Sequence, residues 1–277
     1  MKCFATVVAA LLGLSAQAVA QSFSPVVVVN AACGSGSKEF DFDINTAPSN
    51  GLAVGDNDDI FVIDEFNNRV QHFDAKGGYL GGIAFPPSIP PTPAEMARNP
   101  NMSERPTFVE QIEFIDGALY ALQQRCVNGG VDYACRVGQL LRAQGNTFIN
   151  ADKQDDARRI LLRFTLQYVD ADLRAAYAKL GMKPEDFTKK FSPGQGCGKS
   201  RNCFVAQILF DDKNNIWVLS SAGLRVFSAA GGLLYDNATR SNADVFSKNG
   251  NLYRLSYWGP AYGNSCVQVE KYSLFGK

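Results

Sequence analysis

Residues 51–80, GLAVGDNDDIFVIDEFNNRVQHFDAKGGYL, constrain this chain most, because their order of strands and turns returns downstream. A short apolar strand, Leu52 to Val54, leads into Gly55-Asp56-Asn57-Asp58-Asp59, residue types that accept left-handed backbone or bond their own main chain. The return strand, Ile60-Phe61-Val62-Ile63, is apolar on consecutive positions and so reads as covered on both faces. Asn67-Asn68 turn the chain into Arg69 to Phe73, and Gly77-Gly78 turn it again.

Val205 to Tyr235 repeats this order: Ile208-Leu209-Phe210, the turn Asp211 to Asn215, Ile216-Trp217-Val218-Leu219, Leu224-Arg225-Val226-Phe227, Gly231-Gly232 and Leu233-Leu234-Tyr235. Two shorter copies centre on Asp116-Gly117 and on Asn249-Gly250. One such sheet cannot hide two apolar faces, so each needs neighbours on both sides, and a ring of sheets is the closed solution. Trp217, Phe61, Tyr120 and Tyr253 hold matching positions in the four copies and are predicted to lie between sheets.

Ile63-Asp64, Asn67-Asn68-Arg69-Val70-Gln71 and Phe73-Asp74 resemble the NHL repeat. Around Leu224-Arg225-Val226 the likeness is partial, with Ser220-Ser221 where the aspartate would stand. The resemblance implies an all-β fold, a β-propeller of NHL-like blades, at least four and with room for five or six. Propellers host binding modules and enzymes alike, so this fold does not by itself give a function.

Residues 1–20 have the layout of a secretory signal: Lys2, an apolar stretch from Phe4 to Leu14, and Ala18-Val19-Ala20 before Gln21. Residues 21–277 then form one domain, secreted or periplasmic, and no later apolar stretch approaches a membrane-spanning length. Lys plus Arg and Asp plus Glu each number 27, and without a basic run nucleic acid is an unsuitable partner. Beyond the signal six cysteines remain, an even count that reads as disulfides in an exported chain. Cys126 and Cys135 flank an Asn-Gly-Gly turn, and Cys197 and Cys203 bound a short polar loop. Cys33 and Cys266, near opposite ends of the chain, are left as the third pair.

Ser24 to Asn30 form a β-branched strand before the first full unit, whereas the last unit lacks an outer strand, so the two ends are expected to complete one sheet. Between them, Phe85 to Pro93 is proline-rich and reads as a loop. The region 150–199 departs from the repeat. Ile160 to Phe164 is compatible with a strand, and Asp172 to Gly181 is a helix by its spacing of Leu173, Ala176, Tyr177 and Leu180. With a second short helix starting at Pro184 to Phe187, this makes a helical insertion over about 170–191, or else masks a degenerate blade.

His72 is the only histidine, which excludes sites built on several histidine ligands; a sheet-packing role is the expectation. Asp56, Asn57, Asp58 and Asp59 are oxygen donors of the kind calcium takes, though a hairpin turn uses the same residues. Glu110, Glu113 and Asp244 lie on expected inner strands, where a calcium-dependent propeller hydrolase or lyase would hold its metal. Asp64 and Arg69 flank one turn and are expected to pair. No nucleophile-elbow, phosphate-loop or dinucleotide motif occurs. Asn101 and Asn237 open glycosylation sequons. The leading expectation is a binding or scaffold module without a cofactor, taking a protein or small-molecule ligand through its two non-repeat segments, with Tyr177 and Phe187 as anchors.

Overall fold

A computed structural model describes residues 23, 25–41, 51–87, 93–98, 108–129, 132–152, 156–165, 170–183, 186–187, 205–220, 223–237, 243–258 and 266–274. Among the described residues, sixteen strands build four antiparallel four-stranded units. The first (A) comprises β2 (Leu52–Val54), β3 (Ile60–Asp64), β4 (Arg69–Phe73) and β5 (Tyr79–Ala84). The second (B) comprises β6 (Phe108–Ile115), β7 (Ala118–Gly129), β8 (Asp132–Gln144) and β9 (Thr147–Asn150). The third (C) has β10 (Val205–Phe210), β11 (Ile216–Ser220), β12 (Gly223–Phe227) and β13 (Leu233–Asn237). The fourth (D) has β14 (Ala243–Phe246), β15 (Asn251–Trp258) and β16 (Cys266–Ser273), completed by β1 (Val26–Ala31) from the other end of the chain. A single parallel pair, Ala84 with Thr147, joins A and B into one eight-stranded sheet. The expected closure by the two chain ends is present: β1 runs antiparallel along β16 from Val26 opposite Lys271 to Ala31 opposite Val267.

The turns explain the repeat. Asp58, Asn214 and Gly250 hold the same place in units A, C and D, and all have positive φ, 64°, 59° and 76°. Unit B shortens this turn to Asp116-Gly117, both residues at positive φ, the twist a two-residue hairpin needs. Asp211 caps its turn by accepting from the Lys213 and Asn215 amides, while its other oxygen accepts from Trp217 Nε1 at 3.1 Å.

Strand alternation sets the packing. In β3, Ile60 and Val62 face D while Phe61 and Ile63 face B. In β7, Leu119 and Ala121 face A; Tyr120 and Leu122 face a helix, α2 (Ala157–Thr165). In β11, Trp217 and Leu219 face D; Ile216 and Val218 face a second helix, α3 (Asp170–Leu180). Tyr253 of β15 faces A, and Leu252 faces C. The sheets therefore stack in the order B, A, D, C, and helices cover the two outer faces. The four matching aromatics are buried as expected, with one difference: Tyr120 packs on α2 and not on a sheet.

Of the segment 170–191 expected to be helical, α3 covers Asp170–Leu180 and residues 188–191 lie outside the described set; α2 precedes it, and among the described residues no strand stands between β9 and β10. Ile160 to Phe164, read as strand-compatible, is helix. Ala157, Ile160 and Leu161 fall on one helical face and bury against Tyr120 and Leu140, so tertiary burial overrides the local β-branched and apolar character. Helix α3 ends as its sequence foretells: Met182 N donates to Tyr177 O, Gly181 N to Ala178 O, and Gly181 has φ +63°.

Candidate functional site at the long-connection end

The units share one orientation. The β2–β3 turn of A meets the β14–β15 turn of D, and Phe114, beside the β6–β7 turn of B, lies next to Gly55. The first turns of A, B and D thus collect at one end of the stack, whereas the β3–β4 turn, Glu65 to Asn68, lies at the other. Among the described residues, the strand ends that flank the connections between units, Ala31 and Leu52, Ala84 and Phe108, Asn150 and Val205, and Asn237 and Ala243, lie at the opposite end of their units, as does the far end of the β7–β8 pair. Of the proline-rich segment, Phe85 to Pro87 and a short helix α1 (Pro93–Arg98) are described; the residues between lie outside the described set.

At the long-connection end the NHL-like residues of unit A have a visible task. Asp64, with no exposed surface, accepts from four donors: Asp41 N at 2.9 Å, Asn67 Nδ2 at 2.9 Å, Arg69 Nε at 2.7 Å and Gln71 Nε2 at 2.9 Å. The same side chains reach the segment after Cys33: Arg69 Nη2 donates to Gly36 O and Glu39 O, Gln71 Nε2 to Glu39 O, and Asn67 Nδ2 to Gly34 O. Burial raises the Asp64 pKa, and the donors act against that rise. The expected Asp64 and Arg69 pair forms, and the group clamps residues 34–41 onto the sheet, seating Phe40 against Phe73 at 6.2 Å. Nothing in the sequence linked this signature to that segment, because the contacts span about 30 residues. The expected Cys33–Cys266 disulfide bonds the start of the segment to β16.

The carboxylates weighed as calcium ligands are otherwise engaged. Asp58 accepts from Asn249 Nδ2 (3.2 Å), Asn251 Nδ2 (2.7 Å) and Lys271 Nζ (3.4 Å), and Asp56 pairs with Lys248 Nζ at 2.6 Å. This cluster fastens A to D at the tight-turn end. Burial opposes ionisation of Asp58, but donors from Ser247, Asn249 and Asn251 and the Lys271 charge outweigh it and lower its pKa. Asp244 accepts from Arg254 Nε at 2.8 Å. Glu113 lies on β6, part-buried, and Glu110 lies on the same strand. No group of three or more His, Cys, Asp or Glu suited to a metal occurs among the described residues. His72 stacks on Phe61 at 4.3 Å and approaches Asp59 Oδ2 with its Nε2 at 3.4 Å, a packing role.

Phe187 is not an exposed anchor. It is fully buried among Ile208, Ile216, Val218 and Phe227, and Tyr177 stands half-buried with its ring 5.3 Å away. Both aromatics fix the helical segment onto unit C, because a sheet face with no neighbouring sheet must bury its apolar residues elsewhere. Asn237 Nδ2, the atom a glycan would occupy, donates to Tyr272 Oη at 3.1 Å. Asn101, Cys197 and Cys203 lie outside the described residues. Cys126 stands directly opposite Cys135 in the β7–β8 register. Opposed strand residues have Cα atoms about 4.5 to 5.5 Å apart, inside the span a disulfide needs.

No protein-family model matches the chain, and no curated protein matches it by sequence. Among solved structures it is similar to a gluconolactonase, XC5397, from Xanthomonas campestris, at 13% identity and TM-score 0.27, covering 80% of this chain and 71% of that one. It is also similar to a protein of unknown function from Bacteroides caccae, at 13% identity and TM-score 0.19. The match covers 74% of this chain and about half of the other, 52%. Neither likeness carries a residue or a reaction over to this chain.

Proposed function

We propose that this chain is an exported, NHL-like β-propeller that works as a binding module and recognises a protein or small-molecule ligand at its long-connection end. The observation that carries this reading is topological: among the described residues, the strand ends that lead into the connections between units and the long β7–β8 pair lie at that end, while the first turns of A, B and D close the other. Rigid sheets with recognition on variable loops are a recurrent division of labour. The Cys33–Cys266 disulfide suits an oxidising compartment, and no described helix is long and apolar enough to cross a membrane. The hydrolase or lyase alternative draws no support from Asp58 or Asp244, whose oxygens face amide and cationic donors that a bound cation would have to displace.

Photo-crosslinkers at opposite ends test the reading in the native extracellular milieu. A probe at Phe66, 55% exposed beside the β3–β4 turn, should capture a saturable ligand. A probe at Lys213, exposed in a tight turn, should not. Equal capture at both positions, or capture at Lys213 alone, overturns it.

A further inference from the structure

The outer strands of A and C share one irregularity. Along β5, Gly81 pairs with His72 but Tyr79 with Phe73, so Leu80 is an extra residue bulged out of the ladder. Along β13, Tyr235 pairs with Val226 but Leu233 with Phe227, and Leu234 is bulged out in the same way. Both follow a Gly-Gly turn, and both face water: Leu80 is 55% exposed, Leu234 46%, and Leu233 beside it 55%. A bulge at a sheet edge re-aims a side chain, and here the repeat aims a leucine outward twice. Unit D, between them, adds Val26 and Val27, exposed at the start of β1, and Phe246 at the foot of β14.

These side chains lie at the end closed by the first turns. Tyr79 is opposite Phe73, which is opposite Ile60 at the close of the first turn of A. Val26 is opposite Lys271, whose Nζ reaches Asp58 in that turn at 3.4 Å. Tyr235 packs on Tyr272, which is opposite Leu252 just past the first turn of D, and Phe246 ends β14 where that turn begins. Two features say what covers this rim. Its leucines project, and the turn that leads into Leu233, Ser228 to Gly232, carries no charge, so an occupant needs neither a matching pocket nor a matching ion. The chain also enters β1 here, with Phe23 resting on Trp217 and Tyr235 at 5.6 and 6.3 Å. The apolar stretch that ends at Leu14 joins the fold nine residues before Phe23, within about 32 Å even when fully extended. While that stretch sits in a bilayer during export, this end of the fold is the end next to lipid.

We infer that the aliphatic rim of A, D and C is a membrane-docking surface, which seats Leu80, Leu233, Leu234, Val26 and Val27 in the interface of a zwitterionic bilayer. The hydrated headgroup layer continues to hydrogen-bond the free edge of β13 and the polar turns, while the side chains reach the acyl boundary. Attraction then comes from apolar burial and does not depend on salt. This surface is separate from the recognition end.

Co-sedimentation of residues 21–277 with phosphatidylcholine vesicles tests it, the first 20 residues being left out because their own apolar stretch would bind lipid. Partitioning onto the vesicles is expected, unchanged between low and high salt. Leu80→Ser and Leu234→Ser should each weaken it about fivefold, the loss of one partly inserted leucine. Phe66→Ser at the other end should leave it unchanged. Failure of the unaltered chain to partition overturns the inference, even if the leucine variants fail to fold. So do a requirement for anionic lipid, equal weakening by Phe66→Ser, or undiminished partitioning of folded leucine variants. Light scattering without vesicles covers the remaining occupant: a dimer that Leu234→Ser makes monomeric assigns the rim to a second copy of the chain and overturns lipid docking.

Discussion

Asp64 has no exposed surface and four donors, one of them a guanidinium, so its carboxylate organises Asn67, Arg69, Gln71 and Asp41 at once. Asp64→Ala should cost about 3 kcal/mol or more in urea denaturation, because it removes the carboxylate that faces the Arg69 charge and takes the acceptor from Arg69 Nε and from one of the two bonds of Gln71 Nε2. Asp64→Asn should recover little, since its amide would set one donor against two. A loss under about 1 kcal/mol, within the range of exposed ion pairs, would show the clamp to be ornamental. Asp58 governs acid behaviour at the other end. Its folded pKa lies below the ordinary aspartate value, so its contribution is present above that unfolded value and is lost as pH falls through the lower, folded one. Stability should fall below about pH 4, and Asp58→Asn should flatten that limb of the stability–pH curve.

At the scale of elements, legibility followed sequence range. The hairpin turns were readable because αL-tolerant residues recur at fixed places, and Asp58, Asn214 and Gly250 do adopt positive φ. The end of α3 was readable for the same reason. The strand-compatible reading of Ile160 to Phe164 failed because an apolar pentapeptide carries both periods, and burial against Tyr120 and Leu140 decided for helix. Phe187 was misread as an anchor because nothing local says that unit C lacks a neighbouring sheet on that face. The long β7–β8 hairpin was visible only as a cysteine pair; its length appears once the register is known. Trp217 tests whether the matching aromatics act as inter-sheet keystones. Its ring meets Tyr272 and Phe23 edge-on and donates to Asp211, so Trp217→Ala should cost about 3 to 5 kcal/mol. An unchanged melting temperature would refute that assignment.

For the whole molecule the weak point is the joint between the first and last units, since unit D borrows its outer strand from the far end of the sequence. Three devices hold it: β1 along β16, the Asp58 cluster, and the Cys33–Cys266 bond across 233 residues. Gly77 adds a steric condition. At φ +84° its α-carbon sits against the Val28 carbonyl, where a β-carbon would fall 1.6 Å from the oxygen, so the β4–β5 turn can approach β1 only as glycine. The cross-link acts on the unfolded chain, whose ends it keeps together, whereas β1 acts on the folded one by covering the β16 edge and supplying Val29 and Ala31 to the core between D and A. The two should therefore fail differently. Cys33→Ser with Cys266→Ser should lower stability by about 2 to 5 kcal/mol while leaving a monodisperse, native-like chain. Removal of residues 21–31 should instead expose a strand edge and part of the core, giving self-association at stabilities the serine variant still tolerates. Urea midpoints and light scattering on both variants separate the two effects. A serine variant that aggregates, or a truncated chain that stays monodisperse and equally stable, would show that closure does not rest on the ends in this way.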